Sequence, residues 1–278
     1  MADELEKFLR RFQNHSKQIW AKLKAKGNKK AKRVRASDIV EASVLSAASF
    51  PLCLGVIQNT VFRPLRLTSH IRILAPACGA ISVAVSGAIS SLVFITYTEK
   101  SKDAKDRYFE SHKSQFDSYF RTIRYSYSPM DIAVCVVGSL FVFKTLGGRF
   151  RSVLPSSLLH AGAFAKVSLP AVSKLYASDT TKRKLVKLGK RYGCHTCGRK
   201  RWQTFVGDHI PPNKLLKPGK TQRFYPQCTN CSNKQGAALS TNSKMRRIKT
   251  HGLTLKVYHV WLPLPGLLMA ARDCFLKV

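Results

Sequence analysis

The sequence predicts a mainly α-helical protein in which membrane-associated helical hairpins are followed by a small α+β module. Two long uncharged segments, residues 42–62 and 73–98, predict the helices. Two Cys-x-x-C pairs in the C-terminal half predict the compact module. The chain has 278 residues, of which 45% are hydrophobic, so it can bury a core and is not a disordered tail.

Basic residues dominate the charge of the chain. Lysine and arginine together number 48, against 14 aspartates and glutamates, which gives a formal net charge of +34. A balance of this kind favours polyanionic partners, and the two classes that it indicates are nucleic acid and anionic lipid.

The first segment, residues 1–36, opens acidic and then becomes basic. Its apolar residues are spaced for one helical face, which predicts a helix on a membrane surface or partner, or else a solvated helix that docks on its own domain. A basic run at 29–35 fits a nuclear-import signal, a phosphate-binding patch or solvated charge. The first thirty residues lack the apolar stretch of a secretory signal peptide. The apolar face consists of Phe8, Phe12, Ile19 and Leu23.

Residues 37–177 are expected to be helical and to form transmembrane hairpins. Asp38 and Glu41 are typical of a capping pair before the first uncharged segment. Residues 73–98 run uncharged for 26 positions, more than the roughly 20 that cross a bilayer, and are the best candidate span. The alternative is a buried helix of a soluble bundle. Small residues that permit close helix approach form two rows in this span: Ala80, Ala84 and Ala88, and Ser82, Ser86 and Ser90.

Two hairpins are expected, over residues 38–98 and 129–176. If both cross a membrane, the N-terminus, residues 99–128 and everything after 177 lie on one side. That side carries most of the lysine and arginine, as the positive-inside rule requires, although the connecting turns are basic as well. These turns are expected at 63–72 and 144–151.

The C-terminal segment, residues 252–278, is apolar and interrupted by prolines. Lys256 and His259 lie within it. The segment is therefore expected to pack against the metal module or the membrane surface rather than to cross the membrane.

Four of the eight cysteines stand in two Cys-x-x-C pairs with thirty residues between the pairs. Two pairs supply four thiolates to one tetrahedral ion, which leaves no coordination position open for water or substrate. The pattern predicts one structural Zn²⁺, and His195 is then a residue of the turn and not a ligand. Since thiolates bind zinc only when reduced, the module is expected on the reducing side of an intracellular membrane, nuclear, endoplasmic-reticulum or mitochondrial. The predicted ligands are Cys194, Cys197, Cys228 and Cys231.

The zinc module, predicted to cover residues 178–251, has one carboxylate among many cations in its part from Lys182 to Lys249. Eighteen lysines and arginines lie between Lys182 and Lys249, whereas Asp208 is the only acidic residue in that part of the sequence. His209 follows it directly. A carboxylate beside an imidazole in a field of cations indicates either a catalytic pair or a buried hydrogen-bonded pair that braces the hairpin.

Residues 192–236 resemble the zinc-stapled, treble-clef form of the HNH, or ββα-metal, nucleases. In that family an Asp-His dyad ends the first strand of a hairpin between two Cys-x-x-C turns, and the second turn opens a helix. The resemblance implies that His209 is the general base that activates water and that Asp208 binds a catalytic Mg²⁺ or Mn²⁺ ion. It also implies that Lys234 contacts phosphate.

The chain departs from the family pattern at the second ligand of the catalytic metal. The family usually has His or Asn directly after the last cysteine, whereas this chain has Ser232 there and Asn233 one position later. A shift of one residue turns a helical side chain by about 100°. Asn233 is therefore the candidate second ligand, in a shifted position.

Clusters of cations lie before, between and after the two cysteine pairs. Such clusters are expected to bind the phosphates of DNA or RNA with a strong salt dependence and little sequence choice. Nearby aromatic residues are candidates for stacking on bases, or they form the core of short strands. The predicted nucleic-acid contacts are Lys234, Arg199, Lys200, Arg201, Arg246 and Arg247, and the aromatic residues are Trp202, Phe205, Phe224 and Tyr225.

Three functions are compatible with these patterns. The first is a membrane-associated HNH-like endonuclease, or a nucleic-acid binder derived from one. The second is a noncatalytic membrane protein whose basic zinc module binds nucleic acid or an acidic partner. The third is a structural role in an organelle membrane, with the charge serving anionic lipid. The sequence indicates no oligomeric state.

Overall fold

The computed structural model describes residues 36–103, 129–171, 176–241 and 243–254. The amphipathic helix expected within residues 1–36 lies almost entirely outside these ranges, as does most of the C-terminal segment. Both therefore stay predictions. The described part is mostly helical with some strands, in agreement with the predicted fold class at that level.

Five α-helices and five short strands make up the described part of the chain. The helices are α1 (Ala36–Ile57), α2 (Leu74–Asp103), α3 (Pro129–Thr145), α4 (Asp179–Tyr192) and α5 (Thr229–Leu239). The strands are β1 (Ser156–Ser157), β2 (Leu169–Ala171), β3 (Phe205–Ile210), β4 (Gln222–Cys228) and β5 (Ile248–Lys249). Short helical turns occur at Gln58–Phe62, Phe150–Val153, Asn213–Leu215 and Lys244–Arg247.

Two of the helices are long and apolar enough to cross a membrane. α1 continues into a π-helical turn, so its apolar segment covers 26 residues, Ser37–Phe62. The apolar part of α2 covers 25 residues, Leu74–Thr98. Both exceed the roughly 20 residues that span a bilayer. The segment 73–98, predicted as the best span, therefore forms a helix of sufficient length, whereas α3 is shorter at 17 residues.

The packing of α1, α2 and α3 buries serine hydroxyls beside an apolar core and leaves other aliphatic side chains exposed. Ser46 and Ser90 are fully buried, and their hydroxyl oxygens lie 2.9 Å apart between α1 and α2. The predicted serine row is buried along its whole length. The exposed aliphatic side chains on the long apolar helices are compatible with surrounding lipid. The outward aliphatic residues include Val40, Val44, Leu52, Ile81, Val85 and Val137.

The predicted second hairpin is wrong beyond residue 145. α3 is helical, but residues 152–171 continue in a short 3₁₀ turn, β1 and β2 instead of a second long helix. Pro155 and Pro170 disfavour a helix here, because proline lacks the N–H that a helix interior uses, although α1 tolerates Pro51. Pro170 lies in β2, which is an edge strand and tolerates proline.

The folded module begins well before residue 178, where the sequence analysis placed its boundary. β1 pairs with β5, and β2 pairs with β4, so the segment after α3 supplies strands to the module. β2, β4 and β3 form a three-stranded antiparallel sheet in that order. The pairings of β1 with β5 and of β2 with β4 join residues more than 50 positions apart.

The helix α4 packs closely on one face of the β3–β4 hairpin. A Cβ atom at Gly189 would lie 2.3 Å from the ring of Phe205, and one at Gly207 would lie 2.7 Å from Leu185. Neither position therefore has room for a side chain. The helix begins at Ser178, whose hydroxyl accepts a hydrogen bond from the backbone nitrogen of Thr181.

The module sits against the turn that joins α1 and α2. The side-chain oxygen of Gln58 accepts a hydrogen bond of 2.7 Å from the backbone nitrogen of His251. The rings of His70 and His160 stack with their centroids 4.2 Å apart. Through these contacts the module lies at the same end of the helices as residues 63–73.

This contact corrects the predicted arrangement about a membrane. The prediction grouped everything after residue 177 with the N-terminus and residues 99–128, at the opposite end of α1 and α2. The structure instead places the module at the turn end, because α3 returns the chain there and residues 146–171 contain no further α-helix.

Gly87 permits the close approach of α2 and α3. A Cβ atom at this position would lie 2.2 Å from the side chain of Ser139. We expect Gly87→Leu to lower the free energy of unfolding of the full chain in detergent by about 1–3 kcal/mol, because the added side chain pushes α3 away. Thermal unfolding measures the change. The exposed control Val85→Leu should leave the unfolding temperature unaltered, and an equal loss in both variants would contradict this packing.

Candidate metal centre and basic surface

The first Cys-x-x-C pair lies in a tight turn that follows α4. Gly193 and Gly198 have φ angles of +87° and +72°, in the left-handed region that glycine adopts most easily. The backbone nitrogen of Cys194 donates to the carbonyl of Arg199 at 3.0 Å, and that of Gly198 donates to the carbonyl of Cys194 at 2.8 Å. The turn directs the thiols of Cys194 and Cys197 towards one centre.

The second pair lies where β4 ends and α5 begins. Cys228 is the last residue of β4, and Cys231 is in the first turn of α5. The backbone nitrogen of Thr229 donates to the carbonyl of Thr204, which ties the start of α5 to the approach to β3. Since the N-terminus of a helix carries partial positive charge, α5 stabilises thiolates at this position.

The four cysteines form one buried cluster. Their sulfur atoms all lie within 4.8 Å of one another, and those of Cys197 and Cys228 are 3.8 Å apart. A tetrahedral zinc ion with Zn–S bonds of about 2.3 Å separates its ligand sulfurs by about 3.8 Å. The cluster therefore fits a metal such as zinc, as the spacing predicts.

The thiols influence each other's ionisation. The neighbouring thiol of Cys194 lowers the pKa of Cys197 to about 7. The surrounding thiols, that of Cys194 first, raise the pKa of Cys231. Some members of the cluster thus ionise near neutral pH while the last is held protonated. A bound cation removes this conflict, because it stabilises all four thiolates together.

Asp208 binds His195 and not its sequence neighbour. Nε2 of His195 donates to Oδ2 of Asp208 at 3.0 Å, and their side chains are 1% and 9% exposed. Nδ1 of His195 accepts a hydrogen bond of 3.1 Å from the backbone nitrogen of Gly162. This partner assigns the ring proton to Nε2. The pair links the first cysteine turn, β3 and the segment around Gly162.

His209 lies on the other face of the hairpin. Successive residues of a strand point to opposite sides, and its ring packs on that of its cross-strand partner Phe224 with centroids 4.4 Å apart. Asp208 is instead opposite Tyr225, beside His195. The structure therefore does not join Asp208 and His209 as a dyad, and their catalytic roles stay predictions.

Two residues of α5, predicted to bind a catalytic ion and a phosphate, are accessible. Asn233 and Lys234 are exposed, while Ser232 is half-buried. Lys234 also lines a small cavity beside the cysteines, together with Arg199 and Lys249. Burial lowers the pKa of Lys249, and the nearby ammonium group of Lys234 lowers it further. Cations thus crowd one side of the metal centre. The role of Asn233 as a ligand of a catalytic ion stays a prediction.

The surface of the module is strongly basic. Sixteen of the eighteen lysines and arginines between Lys182 and Lys249 are exposed, and the carboxylate of Asp208 is directed inward to His195. Apart from Lys182, which pairs with Asp179 at 3.0 Å, no ion pair between these exposed cations and a carboxylate is found among the described residues. The predicted contacts Arg199, Lys200, Arg201, Lys234 and Arg246 are exposed, and Arg247 is half-buried.

Trp202 projects from the loop after the first cysteine turn. Its side chain is 95% exposed, and it directly follows three exposed cations, Arg199–Arg201. Its φ angle is +52°, in the left-handed region. Phe205 and Phe224 are buried in the module, so they belong to the core. Of the four aromatic residues singled out in the sequence, Trp202 is the most exposed.

The partner of Asp208 was not predicted from the sequence. His195 was expected in the turn without a role, and Asp208 was expected to pair with the adjacent His209. The alternation of side chains along a strand was the available signal, because it separates neighbouring residues onto opposite faces. The contribution of Lys249 was also missed, since that residue lies outside the resemblance and reaches the metal centre through tertiary packing.

The fit of the cysteine cluster to zinc predicts the effect of removing one thiol. We expect Cys231→Ser to lower the zinc content from one ion per chain to well below one, and to reduce the thermal stability of the module, because structural zinc contributes folding free energy. Elemental analysis and thermal unfolding of the full chain measure both. Cys53→Ser, at a half-buried thiol of α1, is the matched control and should retain the ion. Retention of zinc by Cys231→Ser would contradict the four-thiol site.

Comparison with known proteins identifies no relative: no family model, no curated protein and no solved structure matches the chain. The function of this chain is therefore inferred from its own features. These are the four-cysteine cluster, the buried pair of Asp208 and His195, and the basic surface with its exposed indole.

Proposed function

We propose that this protein is a membrane-anchored, noncatalytic zinc-module protein that binds nucleic acid through the phosphate backbone. The observation that carries the proposal is the loop Arg199–Trp202, defined here as the knuckle loop, which presents three exposed cations and a fully exposed indole. Cations hold phosphates, and an indole stacks on any base.

Backbone hydrogen bonds anchor the knuckle loop to the cysteine cluster. The carbonyl of Arg199 accepts a hydrogen bond from the backbone nitrogen of Cys194, which is a candidate zinc ligand. The carbonyl of Thr204 accepts one from Thr229 at the start of α5. Both ends of the loop are therefore tied to the cysteine cluster. A loop held in place loses less conformational entropy when it binds a ligand.

The charge of the module supports a polyanionic partner. Of the carboxylates in the described module, Asp208 is hydrogen-bonded to His195 and Asp179 pairs with Lys182, so most of the exposed cations are left without a carboxylate partner. Phosphates of DNA or RNA neutralise such a surface and release bound counterions. Since these contacts are made to the backbone, we expect binding with little sequence preference.

The helical part supports attachment to a membrane. α1 and α2 carry apolar segments of 26 and 25 residues, and their aliphatic side chains point outward while serines are buried between them. Lipid is the environment in which this distribution is favourable. In this proposal the helices anchor the protein, and the zinc module binds nucleic acid beside the membrane.

Removal of the exposed indole tests the proposal. We expect the full chain in detergent to bind single-stranded oligonucleotides with an affinity that falls steeply as salt rises. Trp202→Ala should weaken this affinity about 5- to 150-fold, which corresponds to the roughly 1–3 kcal/mol of one stacked base, with zinc content unchanged. Tyr176→Ala is the matched control, since Tyr176 is 92% exposed and lies outside the loop. Equal losses in the two variants, or none in Trp202→Ala, would contradict the role of the knuckle loop.

Hydrolysis of nucleic acid is the second candidate function. The order of a cysteine turn, a hairpin, a second cysteine pair and a helix favours it, since the HNH resemblance implies the same order. The exposure of Asn233 and Lys234 on α5 also favours it. The orientation of Asp208 towards His195 counts against it. For this reason we rank binding without catalysis first.

A cleavage assay separates the two candidates. We expect the full chain to show no hydrolysis of DNA or RNA above background when Mg²⁺ or Mn²⁺ is added, because the Asp208 carboxylate is not beside His209. Cleavage that falls about 100-fold or more in His209→Ala, with zinc content intact, would establish the HNH mechanism instead. His160→Ala, which removes an exposed imidazole remote from the hairpin, is the control and should not alter any cleavage.

A further inference from the structure

A second basic feature lies where the zinc module meets the end of α1. Here a cleft with a volume of about 400 Å³ is lined by Arg63, Lys234, Arg246 and Lys249, and none of its lining residues is acidic. We call it the basic cleft. No residue of the knuckle loop lines it, although Lys234 and Lys249 also line the neighbouring cavity that includes Arg199.

The cations of the basic cleft come from three parts of the chain. Arg63 belongs to the turn after α1, Lys234 to α5, and Arg246 and Lys249 to the segment that ends in β5. Nε of Arg63 is buried and has no hydrogen-bond acceptor among the described residues. A buried donor without an acceptor costs free energy, and so do ammonium and guanidinium groups gathered without a counter-ion. An anion in the cleft relieves both costs.

The position of Arg63 indicates where this anion comes from. Arg63 directly follows Phe62, the last residue of the first apolar segment. The turn that it opens also exposes apolar side chains, with Leu65 and Ile73 at 64% and 85% exposure. Basic and apolar residues that alternate at the end of a membrane helix are typical of the layer of lipid headgroups. The basic cleft therefore opens at the level of lipid phosphates.

From these observations we propose that the basic cleft binds the phosphate headgroup of an anionic membrane lipid. Four cations suit a headgroup with more than one negative charge, such as a phosphomonoester, better than a single phosphodiester. This inference rests on the proposed membrane placement of α1 and α2, but it does not depend on nucleic-acid binding. The bound headgroup would clamp the module to the turn between the two helices, since its ligands come from both.

Lipid titration of the reconstituted full chain tests the proposal. In nanodiscs of phosphatidylcholine, added phosphatidic acid should raise the unfolding temperature and should remain bound in native mass spectrometry. Inorganic phosphate alone should not reproduce the shift. Arg63→Gln combined with Lys249→Gln should weaken lipid binding roughly 25-fold. This is the product of a loss of about fivefold for each cation removed near the membrane surface.

Matched controls make the outcome decisive. Lys214→Gln combined with Lys217→Gln removes the same charge from the loop between β3 and β4 and should leave lipid binding unchanged. An equal effect of both double variants would overturn the proposal in favour of diffuse charge, and an equal shift by inorganic phosphate would overturn the lipid assignment. Oligonucleotide binding should persist in the cleft variant, so loss of lipid binding alone leaves the function of the knuckle loop intact.

Discussion

The module depends on one constraint, which is that four thiols within 4.8 Å cannot all carry negative charge unless a cation lies between them. The cysteines come from a turn after α4, the end of β4 and the start of α5, so an ion bound by all four would add a link between the first cysteine turn and the junction of β4 with α5. The knuckle loop starts within the first turn, and Lys234 lies one helical turn after the last cysteine. The positions of the proposed binding groups therefore follow from the geometry of the metal.

A second set of contacts joins this module to the apolar helices. Gln58 receives a backbone hydrogen bond from His251, and a Cβ atom at Gly252 would lie 2.8 Å from Gly55 of α1. The module is thus packed on the helix end and is not held by a linker alone. As a result its basic groups and those of the turn at 63–73 form one surface.

Local patterns were predictable from the sequence, whereas long-range pairings were not. The four-cysteine cluster followed from spacing because each turn is formed by adjacent residues, and the length of segment 73–98 was enough to predict its helix. The bond between His195 and Asp208 was missed because it joins a turn to a strand 13 residues away, where strand alternation outweighs sequence adjacency. The entry of β1 and β2 into the module depends on strand partners that no local pattern specifies.

The location of the module at the turn end has a consequence for membrane insertion. If α1, α2 and α3 all cross, three crossings separate Ala36 from the zinc module, and the basic residues of the chain are divided between two compartments. α3 rises only about 25 Å, so the bilayer around it must thin locally. With lysine and arginine on both faces, the positive-inside rule would then favour neither orientation clearly. The cysteine cluster can load its ion only where thiols stay reduced, so the side that carries the module would have to be a reducing compartment.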